Sequence, residues 1–367
     1  MSYSFGNAFK VSCFGQSHSE CIGGLIEGVP KNLKLDIGFI NAFMKKRRPG
    51  QNAYSTKRFE KDEPIIKSGV DRNFVTDGTP VAFEIKNNNA HSEDYGEKLV
   101  YPRPMHADFP AFMRYGDNYD FRGGGQFSGR MTAVMCFAGA VALTYLSEKG
   151  INIGAHALSV YNIKDTPFDP VNIDRKQLLS LFDSDYPVTD REKLKEMLAA
   201  IEKAGRDDDS LGGTVECAAI NLPVGLGEPM YDSVESVMSK ILFSIPAVKG
   251  VEFGAGFSSS LMKGSEHNDG FFTDGKKVYT KQNNHGGILG GMTTGMPLIF
   301  RVAIKPTPSI AKKQNTVNIR EMKNAELEIK GRHDPCIVMR AVPCVVSACA
   351  CALADLMIQG TEELIWN

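Results

Sequence analysis

His18, His106 and Asp334 are the groups of this chain best placed to move protons, each in a loop of glycine, serine or proline. His18 lies in Gly15-Gln16-Ser17-His18-Ser19, where an imidazole titrates near neutral pH and can donate a proton. An ordinary polar turn histidine has the same surroundings. His106 closes Pro102-Arg103-Pro104-Met105-His106. Asp334 lies in Gly331-Arg332-His333-Asp334-Pro335, as a proton relay or as a turn residue before proline.

Cations surround these groups. Lys45-Lys46-Arg47-Arg48-Pro49-Gly50 reads as an arginine clamp for phosphate or carboxylate, which guanidinium binds bidentately, or as charges that stabilise a helix C-terminus. Arg103, Arg122 and Arg130 flank Gly123-Gly124-Gly125, whose backbone has no Cβ to keep a ligand away. The N–H groups of the helix that follows favour an anion. Residues 102–132 therefore read as the floor of a site for a large anion, against the plainer reading of a glycine turn before a core helix. Lys305-Pro306-Thr307-Pro308-Ser309 adds a cation and two hydroxyls on a rigid segment. Asn283 to Gly291 reads as a close approach to a planar or phosphorylated ligand, or as a flexible loop. It is neither a dinucleotide fingerprint nor a P-loop.

The elements that position these loops follow from periodicity. Strands are expected at Phe9–Phe14, Gly24–Val29, 64–70, 79–86, Ile151–Leu158, Thr214–Leu222, 249–254 and Leu298–Ile304. Helices are expected at 37–46, Ser128–Glu148, 190–204, 233–243 and Val342–Ile358, the second stopped by Gly150. The 254–292 stretch reads as a polar glycine-rich zone. The mixture lacks strict βαβ alternation and predicts an α+β fold over one domain, 1–367.

Composition narrows the function. A formal net charge of −1 over 367 residues argues against general nucleic-acid binding, so an anion site must arise from local clustering. No apolar run is expected to reach the roughly 20 residues that span a bilayer. The N-terminus lacks the pattern of a signal peptide. Eight cysteines include no Cys-x-x-Cys pair, so no metal site is expected, and reduced thiols point to the cytoplasm.

Taken in order, several segments resemble the chorismate synthase family over Phe9 to about Leu356. They are Arg47-Arg48-Pro49-Gly50-Gln51, Leu226-Gly-Glu-Pro229, Ala247-Val-Lys-Gly-Val-Glu252, His285-Gly-Gly-Ile-Leu-Gly-Gly291, Lys305-Pro-Thr307, and Gly331-Arg-His-Asp-Pro-Cys336 with Arg340-Ala-Val-Pro343. The resemblance implies a single β-α-β sandwich domain, a homotetramer, and a lyase of aromatic amino acid biosynthesis. It implies 1,4-anti elimination of phosphate from 5-enolpyruvylshikimate 3-phosphate to give chorismate. It also implies bound FMN that must be reduced, with NADP or an external flavin reductase as further expectations. Residue by residue, His106 matches the histidine at the reduced flavin, His18 the one near the leaving phosphate, and Asp334 the acidic group of the relay. Arg47, Arg48, Arg103 and Arg130 match substrate positions. Gln126, Phe127, Ser128, Ala247, Gly290, Lys305, Pro306, Thr307, Pro308, Ser309 and Arg332 match flavin positions. The chain departs from the family pattern at Gln16, Ser19, Ala53, Met105, Gln126, Phe127, Gly129, Met131 and Pro246. Those changes keep a second reading open, a non-catalytic paralogue that binds flavin or a phosphorylated anion.

Overall fold

The structure is a computed structural model of the chain and describes residues 3–50, 60–87, 99–329 and 334–360. The first sheet holds β1 (Ser4–Phe5), β2 (Lys10–Gly15), β3 (Cys21–Glu27), β4 (Pro64–Ile66) and β5 (Val81–Lys86), in the order β1-β2-β3-β5-β4 and all antiparallel. On β5, Val81, Phe83 and Ile85 are buried and alternate with Ala82, Glu84 and Lys86, the period of a sheet with one covered face.

The second sheet begins with β6 (Asn152–Val160), β7 (Ile163–Lys164), β8 (Gly213–Ile220) and β9 (Val248–Phe253). Two short hairpins follow, β10 (Phe271–Thr273) with β11 (Val278–Thr280) and β12 (Ile288–Leu289) with β13 (Met292–Thr293). Then β14 (Leu298–Ile304) enters between β8 and β9, giving the order β7-β6-β8-β14-β9. A last hairpin joins β15 (Gln314–Asn318) to β16 (Lys323–Leu327).

The helices are α1 (Ile37–Arg47), α2 (Asp108–Tyr115), α3 (Thr132–Glu148), α4 (Arg175–Asp183), α5 (Arg191–Arg206), α6 (Val234–Leu242), α7 (Gly264–His267) and α8 (Val338–Gly360). α3 is apolar on every side, which suits a helix enclosed between layers rather than one on a surface. It packs on the first sheet, with the Phe137 ring 4.0 Å from that of Phe83. α8 packs on the second sheet and against α3, with α1 and α6 beside them. The result is the expected α+β sandwich of sheet, helices and sheet, joined by one apolar core from Phe9 to Met357. Buried Asp355, on α8, ties the chain start into this core by accepting N–H bonds from Asn7, Ala8 and Phe9 at 2.8, 2.6 and 2.8 Å.

Several expectations need correction. Gly129–Glu148 and Val338–Gly360 are, at 20 and 23 residues, long and apolar enough to cross a membrane by length and composition. The cause of their apolarity is burial between the sheets. The C-terminal helix begins at Val338 rather than Val342, because Pro343 is accommodated inside it. The strand expected over 64–70 is only Pro64–Ile66, and the glycine-rich zone at 254–292 contains two hairpins.

Candidate active site

A cavity of about 830 Å³, near the upper end of the roughly 300–1,000 Å³ typical of small-molecule pockets, is lined from β1, β2, α3, α6, β9, α8 and the loops beside them. Its apolar wall includes Val11, Val134, Met135, Ile245 and Ile337, and Phe127 lies on it edge-on to Tyr119, with ring centroids 5.9 Å apart. Its polar wall draws on loops far apart in sequence. It includes Arg47, Arg103, His106, Ser128, Arg130, Lys305, Thr307, Ser309 and Asp334, together with Gln126, and Ala247 and Pro308 line the cavity beside them.

The glycine loop explains how one histidine is brought next to this wall. Gly123, Gly124 and Gly125 all have positive φ, of 58°, 86° and 53°. The turn they make brings the backbone against Ser17 and His18: an added Cβ on Gly123 would lie 2.5 Å from His18 Cε1. Ser17 N–H bonds Gly125 O at 3.1 Å, and Asp120 accepts from both Gln16 Nε2 and the Arg122 guanidinium. His18 itself is not part of the cavity wall; its neighbours Ser17 and Gly123 are.

His106 approaches from the other side, its Nε2 2.8 Å from Ser309 Oγ. Lys305 Nζ donates to Met105 O at 2.6 Å, so the Lys305–Ser309 segment holds the His106 loop at two points. Burial, with Lys249 nearby, lowers the Lys305 pKa from its ordinary value. Thr307 Oγ1 is buried and, among the described residues, has no hydrogen-bond partner. Asp334 accepts from Arg340, which in turn donates from Nε to Arg47 O at 3.1 Å.

The arginines carry carboxylate partners that were not among the expected site residues. Arg103 bonds Asp108 through Nε at 2.7 Å and Nη2 at 2.8 Å. Burial would raise the pKa of Asp108, but Arg103 outweighs it and holds the carboxyl low. Tyr119 is pushed up to about 12 by burial and by Asp108. Arg47, at the end of α1, and Arg130, before α3, converge on buried Asp62 and on Glu60. Burial opposes the charge on Arg47, yet Asp62 keeps its pKa above the ordinary value. Asp62 is held low against burial by the two arginines.

Other expected site residues fall elsewhere. Arg48 and Pro306 do not line the cavity, although Arg48 Nε is buried without a partner among the described residues. Gly290 forms the turn between β12 and β13 and is not on the wall. The glycines around it serve packing: an added Cβ on Gly286 would lie 2.3 Å from Gly254 N. Arg332 lies outside the described residues, as does Ala53. Among the described residues there is no group of three or more His, Cys, Asp and Glu able to hold a metal ion.

The chain matches the chorismate synthase family over residues 9–358. It is 46% identical over 360 residues to a chorismate synthase of Dehalococcoides mccartyi, covering 98% of each chain. It is 45% identical to one of Korarchaeum cryptofilum, covering 98% of this chain and 99% of the other. A crystal structure of chorismate synthase superposes with a TM-score of 0.75 at 28% identity, over 96% of this chain and 93% of that one. The chain belongs to the chorismate synthase family.

Proposed function

We propose that this chain converts 5-enolpyruvylshikimate 3-phosphate to chorismate by 1,4-anti elimination of phosphate, with reduced FMN in the cavity. The observation that carries this reading is the convergence of the His106–Ser309 pair, Asp334 with Arg340, and the Arg47–Arg130 corner on one cavity. The residues fit the cofactor. A buried Thr307 hydroxyl lacking a partner among the described residues, a half-buried Lys305 and an aromatic edge at Phe127 suit a planar, phosphorylated ligand.

When bound, reduced flavin supplies electron density that helps phosphate leave, with no net redox change. The protein has three tasks beside it. The arginines neutralise the substrate's phosphate and carboxylates as charge builds on the leaving group. His18, held against Gly123, offers a proton at that end. His106 and Asp334 hold protons at the flavin end, with Ser309 orienting the His106 ring. Gln126, Ser128, Ala247, Pro308 and Ser309 are proposed as flavin contacts on the same wall. Arg332 and Gly290 remain flavin positions by family likeness alone.

The chain is further proposed to act as one domain in a cytoplasmic homotetramer, with its flavin reduced from outside. A core cluster that takes in both five-stranded sheets and the helices between them supports the single domain. The test is an anaerobic assay with reduced FMN and 5-enolpyruvylshikimate 3-phosphate. Phosphate and chorismate are expected in equal amounts; the absence of both would overturn the reading.

A further inference from the structure

Arg47 and Arg130 line the cavity, yet their side chains are only 4% and 5% exposed. Two carboxylates stand with them, and the two are not equivalent. Asp62 is fully buried and does not line the cavity. Its Oδ2 accepts from Arg47 Nε at 3.0 Å and Nη2 at 2.8 Å, and its Oδ1 accepts from Arg130 Nη1. Glu60 does line the cavity, is 21% exposed, and uses one oxygen, Oε2, for both arginines, at 2.7 Å from Arg130 Nη1 and 3.6 Å from Arg47 Nη2.

Each of the remaining nitrogens is held by the protein. Arg47 Nη1 bonds Gly129 O at 3.2 Å and Thr132 Oγ1 at 3.3 Å. Arg130 bonds Asn87 Oδ1 at 2.8 Å and Lys86 O at 3.2 Å. Removing Glu60 would therefore take away one ion-pair contact from each guanidinium on the cavity side while leaving both arginines in place. It would also change the corner from neutral to singly positive, since two guanidiniums then face one carboxylate.

We propose that Asp62 is a positioning residue that anchors Arg47 and Arg130, and that Glu60 is a built-in stand-in for the substrate's oxyanion, displaced when a phosphate or carboxylate group enters. This rests on the reading that the cavity takes a phosphorylated anion. Glu60 keeps the arginines paired while the site is free, and its partial exposure gives it somewhere to go. Asp62 has no exposure and two fixed partners, so it stays.

The two carboxylates, two positions apart, then act with opposite sign. Glu60→Gln is expected to tighten binding of inorganic phosphate, read by calorimetry, by about tenfold, because a like charge beside the anion is lost. It is also expected to lower KM for the enolpyruvyl substrate by more than it changes kcat. Asp62→Asn is expected to weaken both phosphate binding and kcat/KM by about 100-fold, as a buried charge pair loses a partner. Unchanged or weaker phosphate binding in Glu60→Gln would overturn the proposal, whatever Asp62→Asn does. Tighter binding in both variants would overturn the anchoring role. Phosphate calorimetry does not need turnover, so wild-type protein that binds phosphate but makes no chorismate would count against the proposed reaction and leave the roles of Glu60 and Asp62 decided.

Discussion

Gly123 and His18 are in such close contact that a single added methyl carbon on the glycine would lie 2.5 Å from His18 Cε1 and 2.4 Å from Ser17 Oγ. The glycine has φ +58°, so alanine there adds backbone strain of about 1–2 kcal/mol to the clash. Gly124, next to it, has φ +86° but no atom nearer than 3.8 Å to its missing Cβ. The pair separates strain from displacement. Gly123→Ala is expected to lower kcat/KM by roughly 100-fold, the effect of moving a reacting group by about an ångström. Gly124→Ala is expected to lose stability with a much smaller kinetic effect. Equal kinetic losses in the two variants would show that the loop does not act through His18.

The His106–Ser309 bond at 2.8 Å joins residues 203 positions apart. Removing the hydroxyl costs about 1 kcal/mol of orientation. Ser309→Ala is thus expected to lower kcat by about five- to tenfold and to shift the pH profile of kcat, while Ser309→Thr keeps most of the rate. Measuring both under anaerobic conditions with reduced FMN checks this. A pH profile unmoved in Ser309→Ala would argue that Ser309 does not orient His106.

The legibility of this site depended on how local each relationship is. α3 and β14 were readable because one is apolar over several turns and the other is a short apolar strand leading into Lys305-Pro306. α2 was missed because it is one short helix with Pro110 inside it; proline is tolerated in a first turn, and Asp108-Phe109-Pro110 was the available signal. The arginines were found by type, but their partners were not. Asp108 lies five residues from Arg103 and Asp120 two from Arg122, so spacing offered those pairs. Nothing in the pattern joins Asp62 to both Arg47 and Arg130, because that pairing exists only once α1 and the start of α3 are brought side by side.

The α3–α8 crossing is the next place to test. An added Cβ on Gly139 would lie 2.4 Å from Ser347 Cβ and 2.5 Å from Ser347 Cα. Overpacking of this kind costs about 1–3 kcal/mol. Gly139→Ala is expected to lose that much in urea unfolding. Gly139→Ala with Ser347→Gly should recover only part, because the clash with the backbone at position 347 remains. Because α3 carries Thr132 and α8 carries Arg340 into the cavity wall, activity should fall together with stability. Full recovery in the double variant would show that the backbones are free to separate.

Far from the cavity, His156 is fully buried between two carboxylates, with Nδ1 2.7 Å from Asp165 and Nε2 3.1 Å from Glu216. Burial alone would lower the His156 pKa, but the two hydrogen bonds outweigh it and hold it above 6.5. The carboxylates move the other way. Burial would raise Asp165, but His156 and the Thr189 bonds bring it down to about 2; burial would also raise Glu216, but His156, the Phe168 N–H and Arg301 hold it below its ordinary 4.5. The imidazolium's contribution to stability is complete below pH 6.5 and is lost as pH rises through the raised folded-state pKa. The carboxylates' contribution is complete above pH 4.5 and is lost as pH falls. The cluster therefore stabilises the fold most between pH 4.5 and 6.5. Wild-type stability in urea is expected to decline above pH 6.5 by at most about 1.4 kcal/mol per pH unit from this one proton. His156→Gln should remove that decline and cost about 3–5 kcal/mol at pH 6, because it takes the buried cation from Asp165 and leaves Glu216 with Arg301 alone. If the alkaline limb in His156→Gln were as steep as in wild type, His156 would not be charged in the folded protein.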